Sequence, residues 1–224
     1  MTDDTVLVPG GRDVRGTLDT DGPSDACVVA CPPHPQHRGH RGDARLTAVS
    51  DALPADVDCL RIDYGAWDEG RGERSDVARS VAWARDRYDR VGLFGFSFGG
   101  TLALVVAARV GDPTSDTNDA TDTASDTNDA TDPPVDAVAA LAPTARISER
   151  LDAVAAVGVV RCPTRIVYGT RDDTADWRPV IDRATERDDP AVETVELAAD
   201  HFFVGQHGKV ADRVAPWLAD HLRE

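Results

Sequence analysis

One serine lies between two glycines at the end of an apolar run, in the Gly-x-Ser-x-Gly stretch 95–99 centred on Ser97. The apolar run before it is typical of a buried strand, and the alanine-rich segment 101–110 after it is typical of a buried helix. A sharp strand-to-helix turn lifts a serine hydroxyl above a sheet edge, and the flanking glycines avoid collision with the returning helix. The stretch therefore predicts a nucleophilic serine. The alternative is a strand-to-helix turn with no chemical role.

A serine hydroxyl needs a base to activate it, and the base needs a carboxylate to orient it. Asp172 follows the predicted strand 164–169, and His201 follows the predicted strand 192–197. Because functional groups gather where parallel strands end, we expect Ser97, Asp172 and His201 to converge at one sheet edge. Three alternatives stay open: Asp172 as a helix cap, Asp173 as the orienting carboxylate, and His201 as a structural residue.

Acyl transfer also needs two backbone N–H groups that bind the developing oxyanion. Phe98 follows the nucleophile directly and supplies one of them. The loop after the predicted strand 26–31 should supply the other. Its prolines at 32, 33 and 35 have no N–H, so His34 is the first residue of the loop that is able to donate. The same prolines predict a stiff loop without a helix.

Metal binding is the alternative use of the histidines in this loop. His34, His37 and His40 recur at intervals of three, but no clustered acids or cysteines accompany them. The four cysteines have no metal-ligand spacing and mostly lie in apolar runs, which is typical of free buried thiols. They are Cys27, Cys31, Cys59 and Cys162. We therefore expect no metal and no cofactor.

Strands and helices alternate along the chain, which predicts an α/β fold. The expected sheet is mostly parallel, opens with an antiparallel hairpin and carries helices on both faces. The predicted strands are 5–8, 14–19, 26–31, 59–64, 91–96, 135–141, 164–169 and 192–197. The predicted helices are 44–53, one capped by Ser75, 101–110, 177–187 and one from about 208 onward, which Pro216 should kink or start late. The segment 145–157 is modestly amphipathic. Only 142–163 lies between the predicted strands 135–141 and 164–169, so any lid is small.

The length of 224 residues suits one domain covering 1–224. Within it, 112–134 is polar and acidic, and 115–122 is repeated identically at 125–132. Such a tract has nothing to bury, which predicts a disordered surface insertion. Calcium binding by its aspartates is the alternative, although the tract lacks the glycine and closing glutamate of a known calcium loop.

The chain is strongly acidic, with a formal net charge of -16 and an isoelectric point of about 4.6. Nearly all its basic residues are arginine, and Lys209 is the only lysine. Nucleic acid and anionic membranes are also negative, so neither is expected as a partner. No apolar run approaches membrane-spanning length and the first residues are acidic, so we expect a soluble, cytoplasmic protein.

We predict that salt stabilises this protein. Its acidic, lysine-poor composition is similar to that of proteins from salt-loving organisms, the alternative being an acidic protein of an ordinary cytoplasm. At low ionic strength the carboxylates repel one another over longer distances, and added salt screens that repulsion. The melting temperature should therefore rise from low to molar salt. A flat or falling melting temperature would contradict the prediction.

Four stretches of the chain resemble the α/β-hydrolase superfamily, namely 33–36, 95–100, 169–172 and 200–203. The likeness is greatest to its small dienelactone-hydrolase-like members and covers nearly the whole chain outside the acidic insertion. It implies Ser97 as nucleophile, Asp172 as orienting acid and His201 as general base, in the chain order of that superfamily. It also implies that the N–H groups of His34 and Phe98 form the oxyanion hole.

The resemblance implies a serine hydrolase, esterase-like, that cleaves a small-molecule ester or similar acyl bond through an acyl-serine intermediate. Dienelactone hydrolases proper use cysteine where this chain has Ser97, so their substrate is not implied. Two other functions are compatible with these residues: a catalytically silent binding protein with a hydrolase fold, and an acyl transferase or lyase with the same triad. The sequence gives no indication of oligomeric state.

Overall fold

A computed structural model of the chain describes residues 2–108, 135–187, 189 and 191–223. The predicted insertion 112–134 lies outside these residues. The strands are β1 Thr2–Val8, β2 Val14–Thr20, β3 Ala26–Cys31, β4 Val57–Asp63, β5 Arg90–Phe96, β6 Ala137–Leu141, β7 Arg146–Ser148, β8 Leu151–Asp152, β9 Thr164–Gly169 and β10 Val192–Leu197. The helices are α1 Ala44–Ala52, α2 Arg71–Arg85, α3 Phe98–Ala108, α4 Ala153–Val159, α5 Arg178–Arg187 and α6 His207–Leu222.

Eight strands form one sheet in the order β1-β2-β4-β3-β5-β6-β9-β10. β2 pairs antiparallel with β1 and with β4. The remaining neighbours in this order, β4, β3, β5, β6, β9 and β10, pair in parallel. Every residue of β3 is buried, as its continuous apolar run predicts for a central parallel strand. The predicted mostly parallel sheet with an opening antiparallel hairpin is confirmed.

Helices cover both faces of the sheet, and the alternation of side chains along each strand divides the core in two. On β5, Leu93 packs with residues of α2 to α5, whereas Phe94 and Phe96 pack with residues of α1 and α6. Because neighbouring strands from β4 to β10 in this order are parallel, their carboxyl ends lie together at one rim of the sheet.

The start of α2 differs from the prediction. The helix begins at Arg71 with Gly70 as its N-cap, in a left-handed conformation with φ of 86°. Glu73 reaches back and accepts the N–H of Gly70 at 2.8 Å, which supplies the acceptor that a cap needs. Ser75 lies inside the helix, where its hydroxyl donates to the Arg71 carbonyl, so the prediction of Ser75 as the cap is wrong.

The chain between β6 and β9 contains only short elements. The predicted amphipathic segment 145–157 holds the antiparallel pair β7 and β8 and the beginning of α4, whose first turn is capped by Asp152. At the other end of the chain, α6 starts at His207 and runs through the exposed Pro216, so the alternative of a late start at the proline is wrong. Among the described residues, no helix combines the length and apolar character needed to cross a membrane.

Candidate active site

Ser97 occupies a strained turn between β5 and α3. Its backbone φ is +54°, a left-handed conformation that residues other than glycine rarely adopt. Both flanking glycines are required, because a Cβ at Gly95 would overlap the Gly99 carbonyl and a Cβ at Gly99 would overlap the Cys31 carbonyl. The turn is held by the Ser97 N–H, which donates to Leu141 O at 2.8 Å. The serine is therefore fixed at the end of β5 and stays partly exposed.

The structure brings the three predicted side chains together. His201 Nε2 lies 3.0 Å from Ser97 Oγ, and His201 Nδ1 lies 2.7 Å from Asp172 Oδ2. They follow β5, β9 and β10, three strands whose carboxyl ends lie at one rim of the sheet. The imidazole and the carboxylate are buried, so water has little access to the bond between them.

The carboxylate of Asp172 is held on both of its oxygens. Oδ1 accepts the backbone N–H groups of Thr174 and Ala175 at 2.9 and 3.0 Å, which leaves Oδ2 for the histidine. The Trp177 indole donates to the Asp172 carbonyl at 3.0 Å. Asp173 is exposed. Of the two neighbouring aspartates, only Asp172 contacts His201 within the described chain. Its capping of the turn at 174–175 accompanies that contact.

The two residues expected to form the oxyanion hole lie against each other. Phe98 is the first residue of α3, where a backbone N–H has no acceptor within the helix. The ring centre of His34 is 4.9 Å from that of Phe98. The His34 carbonyl accepts the N–H groups of His37 and Gly39 at 2.9 and 3.0 Å. These two bonds fold the loop back on itself and turn its first residues toward the start of α3.

This proline-rich loop contains one short 3₁₀ turn, Pro35–His37, so the prediction that it holds no helix is wrong for these residues. Proline suits the first position of such a turn because no acceptor is needed there. The Gln36 N–H donates to His34 Nδ1 at 3.2 Å. Burial and the neighbouring His37 lower the pKa of His34, so its ring is neutral near pH 7 and can accept this bond.

Two aromatic residues that the sequence analysis did not select contact the proline-rich loop that carries His34. The Tyr64 hydroxyl donates to the Pro32 carbonyl at 2.9 Å, and the Tyr64 ring meets Phe98 edge to face at 5.7 Å. Trp67 lies 4.5 Å from His34 and 5.8 Å from Phe98, measured between ring centres. Tyr64 comes directly after β4 and Trp67 three residues later, in the loop at the same strand-end rim.

Two fully buried carboxylates hold the segment that carries Trp67. Glu73 accepts the N–H groups of Asp68 and Gly70 at 2.9 and 2.8 Å. Asp76 accepts the N–H of Gly65 at 2.9 Å and the Arg12 Nε–H at 2.8 Å. Buried carboxylates persist only when such donors satisfy them. The segment 65–70, which carries Trp67, is therefore an ordered part of the site.

Arg45 holds the loop that begins with His201. Its guanidinium lies 4.3 Å above the Phe96 ring, and Nη1 donates to the Phe202 carbonyl at 2.9 Å. Asp43 pairs with the same guanidinium through both oxygens. The arrangement ties α1 to the residue that follows the histidine, and so helps to set the position of the imidazole.

The remaining candidate ligands have structural partners. His40 Nδ1 accepts the N–H of Gly42, and no group of three potential metal ligands lies close together in the ranges that the structure describes. Cys27, Cys31 and Cys59 are free and buried, as predicted, whereas Cys162 is free but only half-buried. Burial raises the pKa of the Cys59 thiol to about 12, so this thiol is not a nucleophile near neutral pH.

Solved structures of other proteins resemble this chain in fold. No protein-family model and no curated protein sequence matches the chain. An α/β serine hydrolase homologue from Coxiella burnetii matches with a TM-score of 0.75 and 23% identity, over 98% of this chain and 99% of that one. Dienelactone hydrolase from Anabaena variabilis matches with a TM-score of 0.72 and 22% identity, over 99% of both chains. An esterase from Pyrococcus furiosus matches with a TM-score of 0.74 and 16% identity, over 99% and 93%.

These likenesses extend over nearly the full length of each chain. They show that the chain has the α/β-hydrolase fold, as the sequence resemblance implies. Ser97 directly follows β5. The order of the strands across the sheet reverses between β3 and β5, so Ser97 lies at the point of reversal.

Proposed function

We propose that this chain, with its α/β-hydrolase fold, is a serine hydrolase that cleaves a carboxylic ester or a similar acyl bond of a small molecule. The observation that carries the proposal is the unbroken series of contacts from Ser97 Oγ through the His201 imidazole to the Asp172 carboxylate, at 3.0 and 2.7 Å. The strained conformation of Ser97 supports it, because strain of this kind persists where a reactive group must be held in one position.

In the first half of the reaction, Ser97 Oγ attacks the carbonyl carbon and its proton passes to His201 Nε2. Asp172 accepts the Nδ1–H, which leaves the Nε2 lone pair directed at the serine. Negative charge develops on the carbonyl oxygen, and the N–H groups of Phe98 and His34 bind it. Collapse of the tetrahedral intermediate breaks the bond to the leaving group, which takes the proton from Nε2 and departs.

In the second half, water attacks the acyl-serine and His201 again accepts the proton. Collapse then releases the acid and returns the proton to Ser97 Oγ. Among the described residues, only β7, β8 and α4 lie between β6 and β9, and Ser97 is partly exposed. Water and small substrates can therefore reach Ser97 without a large lid movement.

The test is a fluorophosphonate probe followed by a substrate panel, both in high salt. The probe should form one covalent adduct, and peptide mass spectrometry should locate it on Ser97. Heat-denatured protein is the control. Nitrophenyl esters, thioesters, lactones and amino-acid amides then compare acyl bonds, with product analysis to identify the acceptor. Absence of labelling would favour a silent binding protein, and transfer of the acyl group to an acceptor other than water would favour a transferase.

A further inference from the structure

Two exposed apolar side chains lie in the loop that begins with the proposed catalytic base. The exposed large apolar residues of the described chain are Leu7, Val159, Phe202 and Val204. Single exposed apolar residues are ordinary on protein surfaces. Phe202 and Val204 differ because they lie two positions apart in the loop that begins with His201, where they are 51% and 70% exposed.

The loop holds these two side chains outward. Between them, Phe203 is fully buried and has a left-handed φ of +50°. Asp200 Oδ1 accepts the Phe202 N–H at 3.1 Å, and Arg45 donates to the Phe202 carbonyl at 2.9 Å. A buried anchor and polar contacts on both sides keep Phe202 from folding into the core, so its exposure is a fixed feature of the loop.

Phe202 lies beside the imidazole that protonates the leaving group in the proposed mechanism. Its ring meets the His201 ring edge to face, with 5.2 Å between centres. His201 must protonate the leaving-group oxygen from about 3 Å. The carbonyl oxygen instead faces the N–H groups of Phe98 and His34. With roughly 1.5 Å per carbon–carbon bond, the second or third carbon of a leaving group at His201 reaches the Phe202 ring.

We propose that Phe202 and Val204 form an apolar subsite for the leaving group, and that the preferred substrates are esters of apolar alcohols. The inference rests on the proposed function and deepens it. Two side chains expose far less than the roughly 1,000 Å² of a specific protein interface, so a substrate group is the occupant of matching size. The apolar surface also contrasts with the acidic character of the whole chain, which carries a net charge of -16.

The test varies the alcohol of an acetate ester from ethyl to hexyl and measures kcat/KM. In the wild type, kcat/KM should rise by about twofold for each methylene, below the roughly fourfold that full burial of a methylene allows. The double variant Phe202→Ala, Val204→Thr should lose most of this dependence. A second series lengthens the acyl chain of an ethyl ester, and its dependence should be the same in both proteins.

The double variant Leu7→Ala, Val159→Thr is the matched control. Its residues are also exposed and apolar. Leu7 lies on β1, the edge strand opposite to β10, and Val159 is the last residue of α4, before β9 begins. It should keep the wild-type dependence. Val204→Thr alone preserves shape at a 70% exposed position and should reduce the dependence without unfolding. The subsite is wrong if all variants keep the alcohol dependence, or if only the acyl dependence changes. If the wild type cleaves none of the esters, the proposed function fails first.

Discussion

Replacing Ser97 by alanine should lower kcat for ester hydrolysis by about 10⁴- to 10⁶-fold, the loss that removal of a triad nucleophile produces. No other described side chain hydrogen-bonds His201 Nε2, so no neighbour replaces the hydroxyl. The two N–H groups proposed for the oxyanion hole remain in the variant, so only weak residual activity is expected. Burst and steady-state kinetics with a nitrophenyl ester measure the change, and the fluorophosphonate adduct should disappear with it.

The variant should fold normally, because alanine accepts the left-handed φ of +54° about as well as serine does. Thermal unfolding checks this point. Ser75→Ala is the matched control, since Ser75 is a partly buried serine of α2 that bonds only the Arg71 carbonyl. It should keep wild-type turnover. Full activity in Ser97→Ala would remove Ser97 from the mechanism and with it the acyl-serine intermediate.

Alternating and continuous apolar patterns both predict strands well, since the prediction 192–197 coincides with the edge strand β10. The predictions 26–31 and 164–169 coincide with β3 and β9. In β3 all residues are buried, and Pro32 ends the apolar run, so pattern and punctuation agree. Residues in such strands contact neighbours of one kind, which is why local composition is enough to place them.

The start of α2 was predicted wrongly because its cap depends on contacts that local patterns do not show. Gly70 has no side chain to act as a cap, and the Glu73 carboxylate supplies the acceptor from inside the helix. Arg12, from the loop between β1 and β2, adds an ion pair to Asp76 in the same helix. Ser75 carries the standard capping side chain, but the helix has already begun before it.

The convergence of Ser97, Asp172 and His201 was accessible from sequence because each of them follows a strand, and parallel strands bring their ends together. The supporting residues were not. Tyr64 reaches the Pro32 carbonyl across 32 positions, and Arg45 reaches the Phe202 carbonyl across 157. These contacts depend on how the loops pack, and a tyrosine or arginine near a strand end has no pattern that identifies its partner.

Replacing Asp172 by asparagine should lower kcat by about 10⁴-fold, because the histidine would adopt the wrong tautomer. The structure fixes how the new amide would lie. The N–H groups of Thr174 and Ala175 occupy the Oδ1 position, so the amide oxygen must take that side. The amide NH₂ then faces His201 Nδ1, which becomes an acceptor, and the ring proton moves to Nε2. A protonated Nε2 cannot take the proton of Ser97.

The exposed neighbour provides the control that separates the two aspartates. Asp173→Asn makes the same chemical change one position along the chain, where the side chain has no contact with His201 in the described structure. It should keep wild-type kcat. Asp172→Asn keeps an oxygen that accepts the Thr174 and Ala175 N–H groups, and Asp173 is exposed, so both variants should unfold near the wild-type temperature. If Asp173→Asn loses activity and Asp172→Asn keeps it, Asp173 is the orienting acid and the contact of Asp172 with His201 is structural only.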